Sequence, residues 1–133
     1  MTADLLADRT AASLAPRTMA EHIYKILADA AYDAAKSEGR FLGTADDLRD
    51  GFIHFSAGHQ VAATLDKHYR GQEDLVLLSV DPERLGPALK WEVSRGGDLF
   101  PHLYAPLELD AVVAEAPLTV DDDNCHILPE GVA

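Results

Sequence analysis

Apolar and polar positions alternate with changing period along the chain, and each change marks an element. "IYKIL" (23–27) concentrates β-branched and aromatic side chains and predicts a first strand. "DAAYDAAKSEG" (29–39) then reads as a helix capped by Asp29 and closed by Gly39. In "FLGTADDLRDG" (41–51) a loop leads to a Thr44 cap and one or two helical turns that stop at Gly51. "FIHF" (52–55) is a second strand, and Ser56 is placed to cap a helix over 57–71 with Val61, Leu65 and Tyr69 at helical spacing. "DLVLLSVD" (74–81) is a nearly unbroken apolar run, the pattern of a central strand covered on both faces. "ALKWEVS" (88–94) sets Leu89, Trp91 and Val93 against Lys90 and Glu92, predicting a strand with one polar face. "HLYA" (102–105) and "LDAVVAEAPLTV" (109–120), separated by Pro106, read as two further strands.

That order predicts an α+β domain of two small, mostly antiparallel sheets with flanking helices, because short connections rarely join parallel strands. Residues 1–18 are alanine-rich and without steady period, so they are expected to be an N-terminal extension with the domain starting at Met19. The domain is expected to run over 19–120, followed by an acidic tail, 121–133.

Composition narrows the function. The 133 residues suffice for one core, with 47% apolar and 26% charged positions. A net charge of −12, with 11 basic residues scattered among 23 acidic ones, argues against nucleic acid as the main partner. A small anionic ligand stays compatible with it, since a pocket can differ in sign from the whole. No run approaches a membrane span and no basic start precedes an apolar core, so neither a membrane segment nor a secretory signal is expected. The single cysteine, Cys125, fits a reducing cytoplasm, and its acidic surroundings disfavour the thiolate a nucleophile requires.

Candidate chemistry lies where polar side chains interrupt apolar strands. His54 shares a face with Phe52, with Ser56 two places on; His102 shares one with Tyr104; Lys25 shares one with Ile23 and Leu27. If these strands converge, Lys25, His54, Ser56, Glu92, His102 and Tyr104 form a polar cluster in an apolar setting, the pattern of a small-molecule pocket. Each also has a plainer role: Ser56 as a cap, the histidines as hydrogen-bonded core residues, Lys25 snorkelling, Glu92 solvated. His59 and His68 read as surface residues of the helix. No metal site is expected, because His54 and His59 straddle a strand-to-helix junction and no HExxH or Cys/His spacing occurs. GxGxxG, P-loop and GxSxG motifs are likewise missing.

"IYKI", "DGFIHFS" with Gln60 beyond it, "DLVLLSVD", "WEVS" with its Gly pair, and "LFPHLYAPL" leading to "LDAVV" follow one another at intervals that resemble a bacterial family, domain of unknown function 952, over residues 22–118. The resemblance implies a fold similar to the ADP-ribosyltransferases, and with it NAD or a related nucleotide as ligand. Laid on that scaffold, Lys25 falls where a His or Arg of the first strand stands, a place often held by His in this family. "GFIHFS" falls on the second motif, with His54 and Ser56 as candidates. His102 stands near the position of the catalytic glutamate, and a histidine supplies poorly the negative charge that nicotinamide departure needs. Glu92 is the nearest carboxylate to substitute. His54, His102 and Glu92 are therefore the catalytic candidates; Lys25, His54, Ser56, His102 and Tyr104 are the ligand-binding ones. The missing glutamate favours a binding domain over a transferase.

Overall fold

The structure, a computed structural model, describes residues 22–132. The expected extension 1–18 and its boundary at Met19 lie outside the described residues. In chain order the elements are β1 (Ile23–Ala28), α1 (Asp29–Glu38), β2 (Arg40–Phe41), α2 (Ala45–Asp50), β3 (Ile53–His54), β4 (Ser56–Ala57), α3 (Val61–His68), β5 (Leu75–Val80), β6 (Leu89–Val93), β7 (Leu99–Leu103), β8 (Leu107–Glu108), β9 (Val112–Val120) and β10 (His126–Ile127), with single 3-10 turns at several junctions.

The architecture is α+β with antiparallel pairings, as the element order implied. The described strands make three sheets rather than the two expected. One is five-stranded in the order β10-β9-β5-β1-β4, one pairs β2 with β8, and one is three-stranded in the order β3-β7-β6. The third sheet is the separate pairing of β2 with β8 over two residue pairs, Arg40 with Glu108 and Phe41 with Leu107.

β5 is the central strand that its apolar run implied. Val76, Leu78 and Val80 point to one side, where they join Ile23, Leu27, Tyr32, Ile53, Phe55 and Leu103. Leu75 and Leu77 point to the other, against Tyr24, Ile26, Val61, Leu65 and Leu118. Period-two alternation thus serves two cores from one strand. The acidic segment 121–133 returns to this second core. β10 pairs with Thr119 and Val120 of β9, and Leu128 and Val132 pack there.

Four local expectations are corrected. Asp29 is the first helical residue of α1 rather than its cap; Ala28 holds the cap position, and the Asp29 amide instead donates to the Asp74 carbonyl at 2.8 Å. Ser56 does not cap a helix. It pairs with Tyr24 as part of β4, and the turn after it is closed by Gln60, whose Oε1 accepts from the Ala57 amide at 2.9 Å. On β6 Leu89 packs against the first core while Trp91 and Val93, further along the same face, are 47% and 69% exposed, and Glu92, expected to be solvated, is bonded to His102 and Tyr104. The strand expected at 102–105 spans Leu99–Leu103, and the last long strand begins at Val112 after a 3-10 turn at Leu109–Ala111.

Candidate functional site

β3 and β7 pair so that His54 and His102 lie directly opposite one another. Their rings meet edge to face with centroids 5.6 Å apart. Phe52 fills the space beside both, stacked on His102 at 4.0 Å and tilted against His54 at 4.7 Å and Tyr104 at 5.3 Å. The two histidines therefore form one cluster, fixed by a cross-strand register that a one-residue slip would destroy.

The centre of the cluster is Asp47, a residue that sequence reasoning did not single out. α2 opens with a reciprocal cap in which Thr44 Oγ1 accepts from the Asp47 amide and Asp47 Oδ2 accepts from the Thr44 amide at 2.9 Å. The same carboxylate reaches across to β1 and β3. Lys25 Nζ donates to Oδ2 at 2.9 Å and Oδ1 at 3.2 Å, the His54 amide donates to Oδ1 at 3.1 Å, and His54 Nδ1 lies 2.6 Å from Oδ1. The third Lys25 contact is the His54 carbonyl, at 2.9 Å. Lys25 and Asp47 are 4% and 2% exposed, so the ion pair is enclosed rather than snorkelling. Gly43 makes room for it: φ is +125° there, and a Cβ would come within 2.9 Å of Asp47 Cβ.

Burial alone would raise the Asp47 carboxyl. The bond from His54, the charge of Lys25 and the Thr44 amide together outweigh it and hold Asp47 well below the usual carboxylate range. For Lys25 burial is the larger influence and holds the ammonium below the ordinary lysine range, against the pull of Asp47. His54 faces a second carboxylate, with Nε2 3.0 Å from Asp50 Oδ2. Each ring nitrogen of His54 thus lies against a carboxylate oxygen.

His102 is held differently. Its Nδ1 lies 2.8 Å from Glu92 Oε1, which also accepts from Tyr104 Oη at 2.7 Å. Bonds from His102 first, then Tyr104, lower the Glu92 carboxyl, and the Glu92 bond raises the Tyr104 phenol. The carboxylate accepts from Nδ1–H, which in the neutral ring makes Nε2 the acceptor. Among the described residues Nε2 has no hydrogen-bond partner, although His102 is only 5% exposed.

Both histidines border a cleft of about 390 Å³ whose wall also includes Tyr24, Lys25, Ser56 and Tyr69. Ser56 Oγ lies 3.2 Å from Thr64 Oγ1 on α3. Burial raises the phenols of Tyr24 and Tyr69, the latter also through Asp47 and Asp46. Of the residues named from sequence, Lys25, His54, Ser56 and His102 share this cleft, while Glu92 and Tyr104 stand behind His102 rather than on the wall. Among the described residues no group of three His, Cys, Asp or Glu side chains is arranged to hold a metal ion. No described helix is long and apolar enough to cross a membrane.

Asp47 had a signal in the sequence, since Thr44 and Asp47 stand three apart, the spacing of a reciprocal cap. Gln60 had no such signal, because Ala57, three before it, has no side-chain acceptor and only the Gln60 half of the exchange forms. Asp50 and Tyr69 gave none, because their place in the cleft follows from tertiary packing.

Residues 26–115 match the family described as protein of unknown function DUF952, and the chain belongs to that family. It is similar to protein CC0527 from Caulobacter crescentus. The crystal structure of that protein is 57% identical with a TM-score of 0.77, covering 80% of this chain and 93% of the other. Its solution NMR structure gives 58% identity and a TM-score of 0.72, covering 78% and 90%. No curated protein matches.

Proposed function

We propose that the domain binds a small, hydroxyl-rich, nucleotide-like ligand in the cleft between β3, β7 and α3, and that it acts by binding rather than by catalysis. The observation that carries this reading is His102. An enclosed imidazole, oriented by Glu92 and stacked on Phe52, borders a cleft of ligand size, and its Nε2 has no hydrogen-bond partner among the described residues. A ligand hydroxyl donating to Nε2 would satisfy it. The tyrosine, serine and threonine hydroxyls of the wall suit the same polar partner.

Charge shapes the choice within that class. The formal cations of the wall, Lys25 and Arg49, are already paired with aspartates. A sugar or nucleoside portion therefore belongs in the cleft, with any phosphate left toward solvent. The likeness to ADP-ribosyltransferases that the sequence motifs imply is the reason to try a nucleotide, and NAD first. It does not favour NAD cleavage, since Glu92 is off the cleft wall and held by His102 and Tyr104. The lone cysteine supports a cytoplasmic setting.

The test is a thermal-shift screen of nucleosides, nucleotides, NAD and sugars, since a ligand of the native state raises its melting temperature by mass action. At least one compound is expected to stabilise the parent and to lose that effect in His102→Leu. Incubation with NAD is expected to release no nicotinamide above a His54→Ala control. Release above that control would replace the binding reading with the enzymatic one.

A further inference from the structure

We infer that the open edge of β6 is a self-association surface, on which a second copy of this chain pairs antiparallel about a two-fold axis through Trp91. Among the described residues β6 is the outer strand of its sheet, with β7 on one side and no strand on the other. Which of its backbone groups face outward follows from the register. The Pro101 carbonyl accepts from the Phe55 amide, so Pro101 directs its backbone toward β3, away from β6. Trp91, opposite Pro101, therefore turns its own N–H and C=O to the open edge. Ladder bonds alternate, so Leu89 and Val93 do the same, while Lys90 and Glu92 bond inward to β7. The Tyr104 amide on the Ala88 carbonyl and the Ser94 amide on the Asp98 carbonyl fit this parity.

The side chains of this edge are as unusual as its backbone. Trp91, Val93 and the cross-strand neighbour of Val93, Leu99, are 47%, 69% and 50% exposed on one face. A free edge carrying an apolar row is a template for another strand. Natural edges are blunted by charge, and here the one lysine, Lys90, has an acidic residue two places along to meet it.

Charge selects the occupant and the register. Outward-facing residues pair only with outward-facing residues, so a symmetric antiparallel pair of β6 strands has three central choices. Centring on Lys90 sets lysine against lysine, and centring on Glu92 sets glutamate against glutamate. Centring on Trp91 sets Lys90 against Glu92 of the second copy twice, Leu89 against Val93 twice, and Trp91 on its own image. Glu92 has an oxygen to spare for this, because His102 and Tyr104 both bond to Oε1. Self-complementarity of this kind points to a second copy rather than to an unrelated partner.

The contact is short, below the area of a stable interface, so the dimer is a weak one that forms in the micromolar to millimolar range. Sedimentation of the full chain under reducing conditions across that range should show a monomer–dimer equilibrium. Lys90→Glu, an exposed change that sets Glu against Glu92, should abolish it while melting like the parent. The register is read from a mixed sample of labelled and unlabelled chains, where an intermolecular NOE between the α protons of Lys90 and Glu92 is expected. A chain that stays monomeric at millimolar concentration, a dimer unaffected by Lys90→Glu, or a dimer without that NOE would each overturn the inference.

Discussion

The carboxylate of Asp47 joins three elements, and replacing it by asparagine removes its charge and one of its two acceptor oxygens. The isosteric amide can accept from the Thr44 amide or the His54 amide but not both, and it leaves the Lys25 ammonium enclosed without a counter-ion. Removing one partner of a buried ion pair costs about 3–5 kcal/mol. For a domain of this size that is a fall in melting temperature of roughly 10–20 °C. Lys25→Met on top of Asp47→Asn removes the orphaned charge and should recover more than half of the loss, so the double variant melts above the single one. Urea unfolding of parent, both singles and the double closes the cycle. Acid adds an independent check. The Asp47 carboxyl is depressed in the folded state, so its stabilisation is complete above the unfolded value, about 4, and is lost as pH falls below it. The parent should lose stability below that point more steeply than Asp47→Asn. An Asp47→Asn protein within about 1 kcal/mol of the parent, or a double variant less stable than the single, would refute the reasoning.

Three further outcomes follow from the same geometry. All four tyrosines of the chain have raised phenols, Tyr32 being pushed up to about 12 by burial and its 2.9 Å bond to Glu115. Phenolate absorbance should thus lag behind free tyrosine on alkaline titration and return to it in urea, with stability lost as pH rises from about 10 toward the folded value. Gly43→Ala should cost about 1–3 kcal/mol by urea unfolding, from positive φ strain and the collision with Asp47, and a neutral result would mean that α2 can shift freely. Gln60→Ala removes the acceptor of the Ala57 amide and the donor to the Leu99 carbonyl, and should speed amide exchange at Ala57 relative to β5.

Much of the fold was legible because period and punctuation agreed. The alternation of β5, the glycine ends of α1 and α2, and the Thr44 cap all act locally, through backbone conformations that few residue types satisfy. What failed was decided by partners distant in sequence. Ser56 has the composition of a cap, but pairing with Tyr24 outweighs that preference, and Gln60 takes over the turn. Glu92 was read as solvated on the polar face of β6, because the sequence does not show that His102 and Tyr104 meet it across the sheet. The site was legible as an anomaly, polar residues in apolar strands, and the strand register brings His54 and His102 together. Its organiser was legible only as a cap: the Thr44–Asp47 spacing does not show that the same carboxylate meets Lys25 and His54 once the chain is folded.

The central claim, a ligand in the cleft beside His102, is tested most directly by amide and imidazole NMR during titration with the nucleoside, nucleotide and NAD panel. The account predicts that at least one compound gives saturable shifts concentrated at His54, Ser56, Phe100 and the His102 ring, with Nε2 responding more than Nδ1. A panel that leaves these resonances unmoved, or shifts that map to another face of the domain, would contradict it.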